Sequence, residues 1–159
     1  MDVSWPRVSK EMNRPDSGFS LLELLIVVSI ILIIATIAIP SLLRSRQAAH
    51  EAAAVATIRT INTAEVTYLL TSEGKYGTLE NLIAEGLIPS NFTAGPVSGY
   101  VFLVTLDTST YTDFTVSADP ASTNEGRYAY YMVPDGVIRY STAAGYAPNS
   151  AAVGAPVTQ

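Results

Sequence analysis

A chain of 159 residues with 48% hydrophobic and only 14% charged side chains has room for one folded domain, a leader and a membrane segment. Its formal charge of −5 leaves no cluster of Lys and Arg for phosphate backbones, so strong nucleic-acid binding is not expected. Cysteine is absent, which excludes a disulfide framework, a thiolate metal site and a cysteine nucleophile.

Residues 1–18 carry Arg7, Lys10 and Arg14 against Asp2, Glu11 and Asp16, with Pro6 and Pro15 and no apolar period. They read as a leader outside the fold. From Leu24 to Ile39 there is no charge. Twenty helical residues at about 1.5 Å each cross a hydrocarbon core of about 30 Å, so Leu24–Leu43 is long enough to span. A secretory signal peptide has a shorter apolar core, about 7–15 residues, ending at an A-x-A-like site. Thr36-Ile37-Ala38 matches that site poorly.

The helical period continues beyond the apolar stretch. Ala48, Ala52, Val55, Ile58, Ile61, Ala64 and Tyr68 recur at spacings of three and four, and Arg44, Arg46, Glu51, Arg59 and Glu73 fall off that stripe. One helix from about Ser20 to Thr71 is predicted, lipid-type in its first half and amphipathic in its second. Gly74 and Gly77 break it. Thr78 is placed to cap a short helix with Leu79, Leu82 and Ile83 as its apolar face, closed by Gly86 and Pro89.

The period then changes to two. Tyr100, Phe102, Val104 and Leu106 form one face of a strand, and Phe114, Val116 and Ala118 one face of the next. Two more strands, about Arg127–Val133 and Val137–Ser141, flank the turn signal Pro134-Asp135-Gly136. The expected fold is α+β: a long N-terminal helix whose second half covers a four-stranded antiparallel sheet. Residues 142–159 are uncharged and rich in Ala, Pro, Gly and Ser, and are expected to form a flexible tail. The expected divisions are therefore 1–18, 19–43, 44–141 and 142–159.

One residue breaks the apolar pattern. Glu23 places a carboxylate in a helix where an acid at the bilayer centre costs about 2.5–3.5 kcal/mol, and less near the edge. If the chain is cut after Gly18, the new amine of Phe19 lies four residues before Glu23, one helical turn away. An ammonium and a carboxylate in apolar surroundings stabilise each other, and the helix N-terminus favours the acid. Simple solvation of Glu23 at headgroup level is the competing reading.

Gly18-Phe19-Ser20-Leu21-Leu22-Glu23-Leu24, running into the apolar stretch and then Pro40, resembles the processing signal of type IV prepilins and pseudopilins. The resemblance implies that a membrane peptidase cuts between Gly18 and Phe19 and methylates Phe19. It also implies that Glu23 pairs with the methylated amine of a neighbouring subunit as the helices assemble. Pro40 lacks an N–H and crowds the carbonyl of Thr36, so a kink or loosening is expected there. The implied partners are further copies of the chain in a helical filament, prepilin peptidase, inner-membrane pilus or secretion machinery, and membrane lipid before assembly.

The implied function is a structural subunit of a pilus-like fibre serving adhesion, motility or DNA uptake. The alternatives are a type II secretion pseudopilin and, from another class, a membrane-anchored binding domain that never polymerises. The precursor is expected to cross a bacterial inner membrane once, before reaching a surface pilus or periplasmic pseudopilus. Counting positive charges does not orient it, since three precede the span and Arg44, Arg46 and Arg59 follow it. The processing signal places the leader in the cytoplasm. Met12–Gly18 is by itself a leader of the family kind, so translation from Met12 is expected to suffice.

No cofactor, metal site or catalytic constellation is expected. Asp107, Asp113, Asp119, Glu125 and Asp135 are spaced singly and read as solvated carboxylates. His50, the single histidine, reads as an exposed helix residue, and the nine tyrosines mostly fall at strand positions where aromatics pack. Asn91-Phe92-Thr93 has the form of a glycosylation sequon, a short triplet that arises often by chance.

Overall fold

The computed structural model describes residues 1, 18–107, 109–141 and 155–157. The structure divides into two compact units, Met1–Ile39 and Pro40–Gln159. The long helix α1, Leu21–Thr71, contributes to both.

In the first unit, α1 presents Leu, Ile and Val to the outside throughout; Leu32, Ile33 and Ile34 are each about 60% exposed or more. A face this apolar on all sides is suited to lipid or to other helices. The apolar window passes the length and composition test for a membrane span, and none of it is buried within the chain.

The second unit holds the core. Its part of α1 includes an alanine-rich run from Ala48 to Ala56, the best helix-forming composition. The threonines that follow are accommodated by bonding back to the helix itself. Thr60, Thr63 and Thr67 hydroxyls donate to the carbonyls of Ala56, Arg59 and Thr63 at 3.2, 3.0 and 2.8 Å. The helix ends in a left-handed turn through Glu73 (φ 57°) and Gly74 (φ 79°), with Gly74 N–H donating to the Leu69 carbonyl at 3.2 Å. Helix α2, Leu79–Ala84, starts in a capping box in which Thr78 and Asn81 satisfy each other's backbone N–H groups. That start and its closure at Gly86 (φ 69°) follow the sequence reading.

Among the described residues, five antiparallel strands form one sheet in the order β1-β2-β3-β4-β5. These are β1 Tyr100–Leu106, β2 Phe114–Pro120, β3 Ala129–Met132, β4 Arg139–Ser141 and β5 Ala155–Pro156. In β1, Tyr100, Phe102 and Val104 are buried and alternate with exposed residues; in β2, Phe114, Val116 and Ala118 are buried and alternate with half-buried ones. These side chains join Ala54, Ile58, Ile61 and Ala64 of α1 and Leu79 and Leu82 of α2 in a single cluster. Fully burying one aliphatic side chain of this kind contributes about 1.5–3 kcal/mol.

Two expectations change. The sheet gains a fifth strand because Ala155–Pro156 return to pair with Arg139 and Tyr140; residues 142–154, 158 and 159 of the expected tail lie outside the described residues. The buried face of α1 keeps Ile58, Ile61 and Ala64 of the expected stripe, with Val55 and Tyr68 half-buried against the same core, but differs at its start. Ala48 and Ala52 are exposed, while Glu51, Ala54 and Glu65 are buried. Apolar spacing could not name the two glutamates on the core face.

Candidate functional site

Gly18, Phe19 and Ser20 precede the first turn of α1 in irregular, exposed backbone. Phe19 is 74% exposed. A Cβ built on Gly18 would meet nothing within 4 Å, so no contact among the described residues requires glycine there. The first helical bond runs from Leu24 N–H to the Ser20 carbonyl at 3.1 Å. Glu23 sits in that first turn, exposed, where the helix N-terminus favours an acid. It has no ion-pair partner among the described residues. Exposed Leu21, Leu22, Leu24 and Leu25 surround its position along the chain. Pro40 lies inside α1, where the boundary between the two units falls.

The structure thus keeps Gly18, Phe19 and Glu23 within one short exposed segment. Its irregular part, Gly18 to Ser20, can enter the cleft of another protein without unwinding the helix. A cut after Gly18 would leave an amine at Phe19 and the Glu23 carboxylate at the start of an exposed apolar helix.

Farther along α1 lies a polar clasp that the sequence did not disclose. Arg46 Nη2 donates to Glu125 Oε1 at 3.1 Å, and Gln47 Nε2 to the Thr123 carbonyl at 3.0 Å. His50 Nδ1 stands 2.7 Å from Glu125 Oε2, a close contact whose angles do not make a hydrogen bond. Glu51 accepts from Arg127 three times, from the backbone N–H at 3.0 Å, Nε at 3.1 Å and Nη2 at 3.0 Å. Arg46, Gln47 and Glu51, on one face of two successive helical turns, therefore hold the loop between β2 and β3, with His50 against Glu125 between them.

This corrects three readings. Glu51 is buried rather than off the core face, His50 is largely covered, and Glu125 is engaged rather than simply solvated. The hydrogen-bonded partners Glu51 and Arg127 are 76 residues apart in sequence, and Arg46 and Glu125 are 79 apart, separations that residue spacing cannot reveal. The one local signal is Gly99 (φ 79°), where a Cβ would lie 2.6 Å from His50 Nδ1 and 2.7 Å from Glu125 Oε2.

A second unforeseen carboxylate is Glu65, which has no exposed surface. Its Oε2 accepts from Gly77 N–H at 3.0 Å, while Oε1 has no hydrogen-bond partner. Burial pushes its pKa up to about 7, against the opposing effect of the Gly77 hydrogen bond. Gly77 is tied to this arrangement, since a Cβ there would come within 2.9 Å of the Tyr68 ring. The carboxylates read as solvated include Asp135, which Arg139 and Val137 N–H engage. Among the described residues no three acidic or histidine side chains gather as a metal site would require.

Residues 13–39 match the family described as the prokaryotic N-terminal methylation motif. This prepilin-type signal is consistent with the type IV pilin and pseudopilin family, as is the long helix packed on an antiparallel sheet. Searches of curated proteins and of solved structures returned no match.

Proposed function

We propose that this chain, whose prepilin-type signal implies processing by prepilin peptidase, is a structural subunit of a type IV pilus-like filament. The observation that carries the reading is the methylation motif lying at the start of a helix whose apolar surface has no cover among the described residues. An apolar face of that length is stable in lipid before assembly and against like helices afterwards. The peptidase cuts between Gly18 and Phe19 and methylates Phe19. Glu23 then pairs with the amine of Phe19 in an adjacent subunit, and Pro40 loosens the helix where the apolar half gives way to the packed half. The precursor lies in the inner membrane with its leader in the cytoplasm and its sheet outside, and the finished subunit reaches the cell surface by way of pilus assembly machinery.

Mass spectrometry of the subunit recovered from sheared cell-surface fibres tests this. An N-methylated Phe19 terminus is expected, and Gly18→Val should accumulate uncut precursor because a side chain obstructs the extended backbone in the peptidase cleft. Deleting residues 1–11 while keeping Met12 should leave cutting intact. An uncut chain in the membrane, or normal cutting of Gly18→Val, would overturn the reading.

A further inference from the structure

The sheet face that carries the core continues across several strands. Phe102 pairs with Ala118, Ala118 with Tyr130, and Tyr130 with Tyr140, so these side chains lie in one row. At the β3–β4 end of the row is a cavity of about 220 Å³ lined by Tyr128, Tyr130, Tyr140 and Val157. The rings of Tyr128 and Tyr140 meet at 75° with centroids 5.2 Å apart, forming a corner. Tyr130 is only 6% exposed and belongs to the core.

The chemistry of the walls selects the occupant. Among the described residues no charged side chain lines the cavity. The Arg127 guanidinium stands 5.1 Å from the Tyr128 centroid, so a cationic ligand would meet a positive charge already stacked on that ring. An anion would face tyrosine π surfaces, whose quadrupole is negative. Burial, chiefly, pushes Tyr130 up to about 12, which keeps it a neutral O–H able to donate. A flat aromatic plane can lie along only one of two crossed rings. A puckered ring presents C–H groups to both walls and hydroxyls to the phenol oxygens and to the half-exposed Arg127.

We infer that the cavity of Tyr128, Tyr130, Tyr140 and Val157 binds one neutral pyranose ring, as found at the end of a glycan chain. The inference concerns the second unit alone and stands whether or not the chain polymerises.

The test uses the full chain in nanodiscs of phosphatidylethanolamine and phosphatidylglycerol, which avoid sugar and choline headgroups. Saturation-transfer NMR is recorded with methyl glucoside, methyl galactoside and methyl N-acetylglucosaminide, and with choline and phenol for comparison. Transfer to the ring C–H groups of at least one glycoside is expected, exceeding that to choline or phenol. Tyr140→Ala should weaken that glycoside at least about tenfold, the effect of losing one aromatic anchor. Tyr140→Phe keeps the ring and should bind within a few-fold of the parent, and Tyr111→Ala, in the β1–β2 turn, should bind like it. Val157→Arg, at the half-buried margin, should block the cavity and decides the matter if Tyr140→Ala unfolds. Transfer to no glycoside, preference for choline or phenol, or undiminished binding by a folded Tyr140→Ala or Val157→Arg would overturn the inference.

Discussion

Glu65 and Glu23 are carboxylates in the same helix with opposite surroundings. Glu65 is sealed in the core with one oxygen unpartnered, and its folded pKa near 7 lies above the ordinary value of 4.5. The native state therefore holds a proton that the unfolded chain releases between those values. Stability from this group is full below about pH 4.5 and is lost as pH rises through about 7, a difference on the order of 3 kcal/mol. Asp135 acts in the other direction, because the Arg139 hydrogen bond holds its pKa down and that contribution is lost on acidification. Glu65→Gln should therefore remove the alkaline loss and leave the acid limb in place. Melting curves of parent and variant from pH 5 to 9 check this; parallel pH profiles would show that Glu65 is not buried in its neutral form. Glu23 is exposed in the first helical turn, so its replacement should spare folding. Glu23→Ala is expected to be inserted and cut normally yet fail to enter fibres, because an ammonium left alone in an apolar interface costs on the order of 3–5 kcal/mol if fully buried. Glu23→Asp, one methylene shorter, should assemble in part. A gel shift reports cutting and sheared fibres report assembly; abundant fibres from Glu23→Ala would mark it as a solvated edge residue.

At the scale of the element, α1 shows how apolar spacing can place most of a face and miss its start. It named Ile58, Ile61 and Ala64, which are buried, but put Ala52 inside where Glu51 and Ala54 are buried instead. Substitutions at positions 52 and 54 distinguish the two faces. Ala54→Asp and Ile58→Asp should destabilise the second unit by several kcal/mol, since each buries an unpaired charge. Ala52→Asp should stay within about 0.5 kcal/mol of the parent, as surface changes usually do. Equal loss at positions 52 and 54, read by urea unfolding, would contradict the observed face. The strands were more legible, since β1 and β2 alternate cleanly and bury the faces that alternation names. β3 was less so, because all four of its residues are buried and a strand covered on both faces has no alternation to read.

At the scale of the whole molecule, the chain divides at Ile39 and Pro40 into an uncovered apolar helix and a unit with its own core. Residues 40–159 should therefore fold without the apolar half. A fragment carrying them is expected to be monomeric and soluble, with a cooperative thermal transition by near-ultraviolet circular dichroism. A fragment that aggregates or melts without cooperativity would mean that the core depends on the first half of α1. The clasp from Arg46, Gln47, His50 and Glu51 to the β2–β3 loop lies wholly inside this fragment and should persist in it.

The features legible in the sequence are those written in neighbouring residues: the processing signal at Gly18 and Phe19, the apolar run with Glu23 at its start, the Thr78 cap and the alternation of β1 and β2. Each depends on interactions within one helical turn, one cap or one strand, so local order is enough to specify it. What the tertiary structure decided depends on contacts between segments far apart in the chain. Burial of Glu51 was settled by Arg127, the covering of His50 by Glu125, the sealing of Glu65 by the loop at Gly77, and the fifth strand by the return of Ala155–Pro156 to β4. A charged residue reads as exposed until a partner arrives to satisfy it, and the partner's position is fixed only when the chain has folded.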